Sequence, residues 1–275
     1  MRTQTGEEKK ATGRRGFLLG GAAVAAAGLT LLRPQAVYGR DPLPEVGTWP
    51  WPEKGLDAAS AARGPVTGLR GCGVVSFALI RNELAAALPD SIWKAIPPEI
   101  ASGFNGGGPY GSDCGGLQGP LLIMTLLGAP LTLKQEFYKW YCDFNFPSTE
   151  WDDLYPFKRT IQTVSHSPLC HESRAVWESA YLHKAYDGAT YDDTRCAKLP
   201  RDCARKAVEL INAWKANGYV GSWAPDESFR ACYDCHTQLN TKKLPVGIHS
   251  GKEDCTRCHT VAASHATRTP RGPEK

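Results

Sequence analysis

The 275-residue chain is poor in several things that would point to a common chemistry. It has no HExxH element for a zinc hydrolase, no phosphate-binding glycine loop and no Ser-His-Asp order. It has no basic surplus outside its first 39 residues. There, Arg2, Lys9, Lys10, Arg14, Arg15 and Arg33 stand against Glu7 and Glu8 and account for the whole formal charge of +4. The remainder is formally neutral, which argues against nucleic acid as a partner. Strand-like alternation is scarce, so the expected class is mainly α with long loops. Methionine is nearly absent, with Met1 and Met124 alone.

What is present is concentrated near the end. Cys232-Tyr-Asp-Cys235-His236 and Cys255-Thr-Arg-Cys258-His259 write the pattern Cys-x-x-Cys-His twice. This is the attachment signature of haem c: two thiols add to the vinyl groups of one porphyrin, and the adjacent imidazole takes the proximal face of the iron. A tetrahedral zinc site built from the same cysteines would leave both histidines unexplained. The segment around the motifs is poor in large apolar residues, as expected if two porphyrins serve as its core.

The scarcity of methionine then decides the sixth ligands. Met124 lies in the apolar run 121–127, where packing is the expected role. Histidine is left as the distal ligand, and His249, in the Gly-flanked stretch 246–251, and His265 are the candidates. His166 also remains, whereas His171 and His183 read as surface or partly packed residues. Two imidazoles on each iron leave no open coordination position, which favours low-potential electron transfer over catalysis at haem.

At the other end, Arg14-Arg15 precede an Ala- and Gly-rich apolar run over 17–32, the form of a twin-arginine export signal. That run falls short of the ~20 residues a membrane span needs, so no span is expected after cleavage. The expected organisation is a signal over 1–39, a Pro/Trp-rich irregular strap over 40–62, a helical cysteine-rich redox domain over 63–221, and a small, loop-rich dihaem segment over 222–275. Helices are expected over 72–88, from 114 to about 127, from 170 to about 186, and from Pro200 to about 217 with proline in the first turn. The glycine-rich stretch 103–111 reads either as a close approach of backbone to something or as a surface loop.

Twin-arginine export suits proteins that fold around a cofactor before crossing, whereas haem c is attached afterwards. A second cofactor is therefore sought among the other six cysteines: Cys72, Cys114, Cys142, Cys170, Cys196 and Cys203. Disulfides are one reading in an exported protein. Convergence of Cys72, Cys114, Cys142 and Cys170 on an iron-sulfur cluster or a redox-active thiol site is the other, since glycine-rich helix starts favour thiolate. Cys196 and Cys203 are left as additional thiols, as cluster ligands, or as a local disulfide if Pro200 breaks the helix between them.

The Gly-flanked Cys72, the Asp113-Cys-Gly-Gly-Leu-Gln-Gly119 turn, and Cys142 and Cys170 resemble a redox family patterned Cys, Gly-Cys-Ala-x-x-Gly, Cys, Cys. Joined to two C-terminal haem motifs, this looks like the split-Soret cytochrome c family over nearly the whole exported chain. Asp113 stands for that family's first Gly, Gly115 for its Ala, and Gly119 falls one position late. The resemblance implies a homodimer with two bis-histidinyl haems per subunit, parallel and almost in contact, whose coupled transitions split the Soret band. It also implies one axial histidine per haem from the partner subunit and a non-haem iron-sulfur centre in the cysteine-rich part.

The leading expectation is a periplasmic electron carrier that docks redox partner proteins. One rival is an enzyme that reduces a disulfide or a small oxidised substrate at the cysteine site or at an open haem. Another is a haem-bearing docking subunit of a larger redox complex.

Overall fold

The computed structural model describes residues 45–155, 161–184, 194–230 and 233. It is mainly helical with long loops, as expected. The order is α1 (Ala58–Arg63), α2 (Cys72–Ala87), α3 (Gly115–Leu126), α4 (Leu131–Asp143), β1 (Asn145–Phe146), β2 (Thr163–Val164), α5 (Cys170–Lys184) and α6 (Thr194–Asn217). The two short strands pair antiparallel. Among the described residues no helix is long and apolar enough to cross a membrane.

α2 is the centre of the packing, and its sequence says why. Val74, Phe77, Ala78, Leu79, Ile80 and Leu84 are all buried, so it has no wide polar face and must be enclosed. α3 lies against it and is apolar along most of its length, with Leu117, Leu121, Ile123 and Met124 in the same core. Met124 is fully buried there, the packing role expected of it. α6 closes the core with Leu199, Ala204, Ala207, Val208 and Ile211 along one face. Burial of each large apolar side chain stabilises by about 1.5–3 kcal/mol, which makes these contacts the main local driving force.

The first turns of α2 and α3 meet. Ser76 Oγ donates to Gly73 O and to Gly115 O, both at 3.3 Å. A Cβ on Gly119 would stand 2.3 Å from Ser76 Oγ and 2.6 Å from Gly73 O, so only glycine permits this approach. The amides at the start of α2 lack a cap from the preceding residue. Asn105 supplies it from the glycine-rich loop, its Oδ1 accepting from Gly73 N at 3.0 Å and Val74 N at 3.3 Å.

Two expectations about local structure are corrected. The strap over 40–62 is not irregular to its end, because residues Ala58–Arg63 form a helix capped by Asp57, whose carboxylate accepts from Ser60 N at 2.6 Å. Its indoles divide: Trp49 is buried edge-on against Trp93 with ring centroids 4.8 Å apart, while Trp51 is only half-buried. The last helix does not begin at Pro200; it begins at Thr194 and runs through the proline. Proline there withholds the N–H that would bond the Cys196 carbonyl, a loss offset by burial of Leu199 and Cys203 on either side of it.

A thiol pair at two helix N-termini

Cys72 is the first residue of α2 and Cys114 the N-cap of α3, so the meeting of those two helix starts brings their side chains together. The two thiols hydrogen-bond to each other. That bond is the chief cause holding Cys72 down at about 6, against the opposing effect of burial. The backbone N–H groups of Gly106, Gly116 and Gly73 also donate to its sulfur. Cys72 is thus a thiolate near neutral pH, held by the exposed amides of two helix N-termini and one loop. Cys114 is pushed the other way, first by its bond to Cys72 and then by burial. One proton is in effect shared by two sulfurs.

The departures from the family pattern have structural roles. A Cβ at Gly115 would meet Phe104 O at 2.4 Å and Cys72 Sγ at 2.7 Å, so alanine does not fit beside the thiol in this chain. Asp113 pins the turn before Cys114, its Oδ2 accepting from Gln118 Nε2 at 2.8 Å and from Tyr138 Oη at 2.9 Å. Burial, and then the Asp113 charge, push the Tyr138 hydroxyl well above its ordinary range and keep it a donor.

Around the pair stand Cys203, which the sequence left as an additional thiol or cluster ligand, and two groups that it did not mark, Tyr141 and Arg195. Cys203, fully buried on α6, shares the space at Gly116 with Cys114; each sulfur lies 3.7 Å from where a Cβ on Gly116 would be. Burial pushes the Cys203 thiol well up. The expected helix from Pro200 already included this residue; the structure sets it, on α6, in the core against Gly116. Since that helix is unbroken, Cys196 and Cys203 lie about 10.5 Å apart along its axis, beyond the reach of a local disulfide. Cys72, Cys114 and Cys203 are free thiols. Tyr141 on α4 hydrogen-bonds Cys114, and burial pushes its hydroxyl well up. Arg195, buried at 3% exposure, donates through Nη2 to Tyr141 Oη at 3.4 Å and to Ser173 Oγ.

Cys170 and Cys142 lie on the neighbouring segments. Cys170 opens α5 behind the glycine-rich loop; its amide donates to Ser112 O at 2.6 Å, and its Cβ lies 2.9 Å from where a Cβ on Gly107 would be. The glycine stretch is thus a close backbone approach at Gly107 and exposed surface loop at Gly103, Gly106 and Gly108. Cys142 ends α4 and its carbonyl accepts from His166 N at 2.8 Å. Among the described residues no group of three or more His, Cys, Asp or Glu is gathered so as to hold a metal ion. Of the expected four-cysteine set, Cys72 and Cys114 are in contact, and the Asp113–Leu169 bridge runs the chain before Cys170 beside the chain before Cys114. His171 is exposed, with Nδ1 2.7 Å from Gly111 O. Cys232, Cys235, His236, His249, Cys255, Cys258, His259 and His265 lie outside the described residues, as does the signal over 1–39.

The donor chemistry fits an iron-sulfur centre: a ready thiolate, a second thiol bonded to it, converging backbone N–H groups, and a buried cation nearby. It fits thiol–disulfide chemistry by the same features.

No family model matches the chain. It is 27% identical over 273 residues to split-Soret cytochrome c of Desulfovibrio desulfuricans (strain ATCC 27774), covering 92% of this chain and 96% of the relative. The fold is similar, with a TM-score of 0.64 and 25% identity, to a solved structure of split-Soret cytochrome c from Desulfovibrio desulfuricans ATCC 27774, described there as holding a novel iron centre. That likeness covers 82% of this chain and 96% of the other. The resemblance drawn from the cysteine pattern and the paired haem motifs is borne out along nearly the full length of the relative.

Proposed function

We propose that this chain, a relative of split-Soret cytochrome c, is an exported dihaem c-type cytochrome that works in electron transfer. The observation that carries this reading is the pair of Cys-x-x-Cys-His motifs in a chain similar to that protein from end to end. Cys232 and Cys235 would attach one haem with His236 on its iron, and Cys255 and Cys258 the other with His259. His249 and His265 are the proposed distal ligands, supplied across a homodimer. Haem c bound in this way supplies one-electron exchange without an open iron position.

For the second cofactor the reading is an iron-sulfur centre at the helix starts, with Cys72 and Cys114 as its paired thiols and Cys203 beside Gly116. What these residues do is specific. Cys72 offers a ligating thiolate at neutral pH, the Gly73, Gly106 and Gly116 amides stabilise charge on sulfur, and Gly115 leaves room beside it. The low Cys72 value also favours a second reading, in which the two thiols exchange with a disulfide. The twin-arginine pattern at residues 14–15 supports export to the periplasm, where redox partner proteins would dock.

The test of the haem assignment is the mass of the mature chain from cells competent in haem attachment. The expected mass exceeds that of the polypeptide by two haems. The pair Cys232→Ala/Cys235→Ala should remove one of them, and Cys255→Ala/Cys258→Ala the other. A chain carrying no covalent haem would end this reading.

A further inference from the structure

α4 is contacted along two opposite sides, and the two sides lead to different parts of the chain. Thr132, Glu136 and Lys139 recur at intervals of four and three residues, which sets them in one stripe along the helix. Tyr138 and Tyr141 fall on the other side of it. There Tyr138 Oη donates to Asp113 Oδ2 at 2.9 Å, in the turn before Cys114, and Tyr141 Oη lies 3.2 Å from Ser173 Oγ. The stripe instead holds the chain that leaves α6 for the first Cys-x-x-Cys-His motif.

That chain, residues 218–226, carries Gly218, Gly221 and Pro225, a composition that reads as a hinge. Its contacts are those of a clamp. Thr132 Oγ1 donates to Val220 O. A Cβ on Gly221 would stand 2.6 Å from Thr132 O, so the backbone is pressed against the first turn of α4. Glu136 accepts from Tyr219 Oη at 2.6 Å through each oxygen, and its Oε2 also accepts from Ser222 N at 2.6 Å and Ser222 Oγ at 3.4 Å. Lys139 Nζ reaches Asp226 at 2.7 Å, but Asp226 is exposed, and an exposed ion pair is weak beside hydrogen bonds to a carboxylate. Glu136 is therefore the anchor. Further on, Phe229 is buried, and Trp223 meets the ring of Tyr233 edge-on with centroids 5.4 Å apart. Tyr233 stands between Cys232 and Cys235, so the contacts of this stretch reach from α4 to a residue of the motif itself.

We propose that residues 218–226 clamp the first haem motif to α4 through Glu136, and so hold that haem in one register with the sulfur site on the other side of the helix. An α-helix with its side chains is about 10–12 Å across, which sets the separation between the clamped chain and the Asp113 turn. The proposal deepens the electron-transfer reading and rests on it. A fixed register gives one rate of one-electron exchange between haem and sulfur site, where a hinge would give a spread of rates. Glu136 acts through the linker and is a positioning residue.

The experiment uses the full haem-loaded chain, with wild type, Glu136→Ala, Glu136→Gln and Tyr219→Phe compared at equal haem content. Hydrogen exchange of the peptide spanning 218–226, read by mass, reports the clamp, and Soret circular dichroism reports the setting of the haems. After loading with ferrous iron and sulfide, a photogenerated reductant delivered to the haem reports the rate of electron exchange within the chain. In Glu136→Ala, hydrogen exchange over 218–226 should quicken by about tenfold or more while α2 and α3 stay protected. The Soret dichroism should change, and the single kinetic phase should become several-fold slower or multiphasic. Glu136→Gln keeps an oxygen for Ser222 N and should retain most of the wild-type behaviour in all three readouts. Tyr219→Phe should fall between.

Wild-type exchange over 218–226 as fast as in a free chain, or no quickening in Glu136→Ala, would overturn the clamp. Quickened exchange with unchanged dichroism and unchanged electron transfer would overturn the positioning role and leave a structural contact only. If the wild type takes up no iron and sulfide, the iron-sulfur reading fails by itself, and hydrogen exchange with dichroism decides the clamp. A chain carrying no covalent haem ends the cytochrome reading and this proposal with it. If Glu136→Ala does not fold, Tyr219→Phe/Asp226→Ala, which cuts the clamp from the linker side, decides by the same readouts.

Discussion

Replacing Cys114 by alanine should raise the pH at which Cys72 ionises while leaving Cys72 itself in place. The Cys114 hydrogen bond is the largest cause bringing Cys72 down to about 6, and the Gly73, Gly106 and Gly116 amides persist in the variant. A hydrogen bond to a charged group is worth about 1.5–3 kcal/mol, and one pH unit corresponds to about 1.4 kcal/mol, so the midpoint should rise by about one to two pH units. The sign follows from the acid form: Cys72 is thiolate above its midpoint and protonated below it. At pH 7 the thiolate fraction of about nine-tenths would fall to between about one half and one tenth, slowing alkylation two- to tenfold by rough estimate. The assay is the rate of iodoacetamide modification of Cys72 across pH on the iron-free reduced chain, read by peptide mass. A Cys72 midpoint that stays near 6 in Cys114→Ala, or that lies in the ordinary thiol range in the wild type, would refute the pairing.

Other expectations follow from the same geometry. Gly115→Ala, restoring the residue usual in the family pattern, should be harmful here because its methyl meets Phe104 O and Cys72 Sγ; about 1–3 kcal/mol of destabilisation is expected, seen as a melting temperature several degrees lower. Asp113→Ala removes the acceptor shared by Tyr138 and Gln118 and should cost about 1–2 kcal/mol in denaturant unfolding. His249→Ala and His265→Ala should each leave covalent haem content unchanged while converting one haem to a ligand-binding, high-spin form. Carbon monoxide binding to the reduced protein is the check, and no gain of binding in either variant would remove both as ligands.

Much of the helical frame was legible because its punctuation is local. Glycine before Cys72 and the Gly-Gly turn after Cys114 both announce helix starts, and α2 and α3 begin there. The Met124 role was legible from the apolar run around it. Pro200 misled because proline prefers the first turn only when nothing stronger competes; burial of α6 on both sides of it overrode the local rule. That boundary left open a local Cys196–Cys203 disulfide, which the unbroken helix excludes. Arg195 carried no sequence signal, since a lone arginine is ordinarily solvated, and its burial against Tyr141 and Ser173 comes from the fold. Cys142 and Cys170 were grouped with Cys72 and Cys114 by pattern, and the chain path sets Cys142 near the end of α4 and Cys170 at the start of α5, just after the bridge of Leu169 to Asp113.

The most direct test of the whole reading is made on anaerobically purified mature protein: iron and acid-labile sulfide per covalent haem, with the visible spectrum of the oxidised and reduced forms. The expected result is two haems per chain, iron and sulfide in excess of the haem, and a split Soret band. Two haems with no extra iron or sulfide would contradict the second cofactor and leave Cys72 and Cys114 as a thiol pair. Absence of covalent haem would contradict the central claim itself.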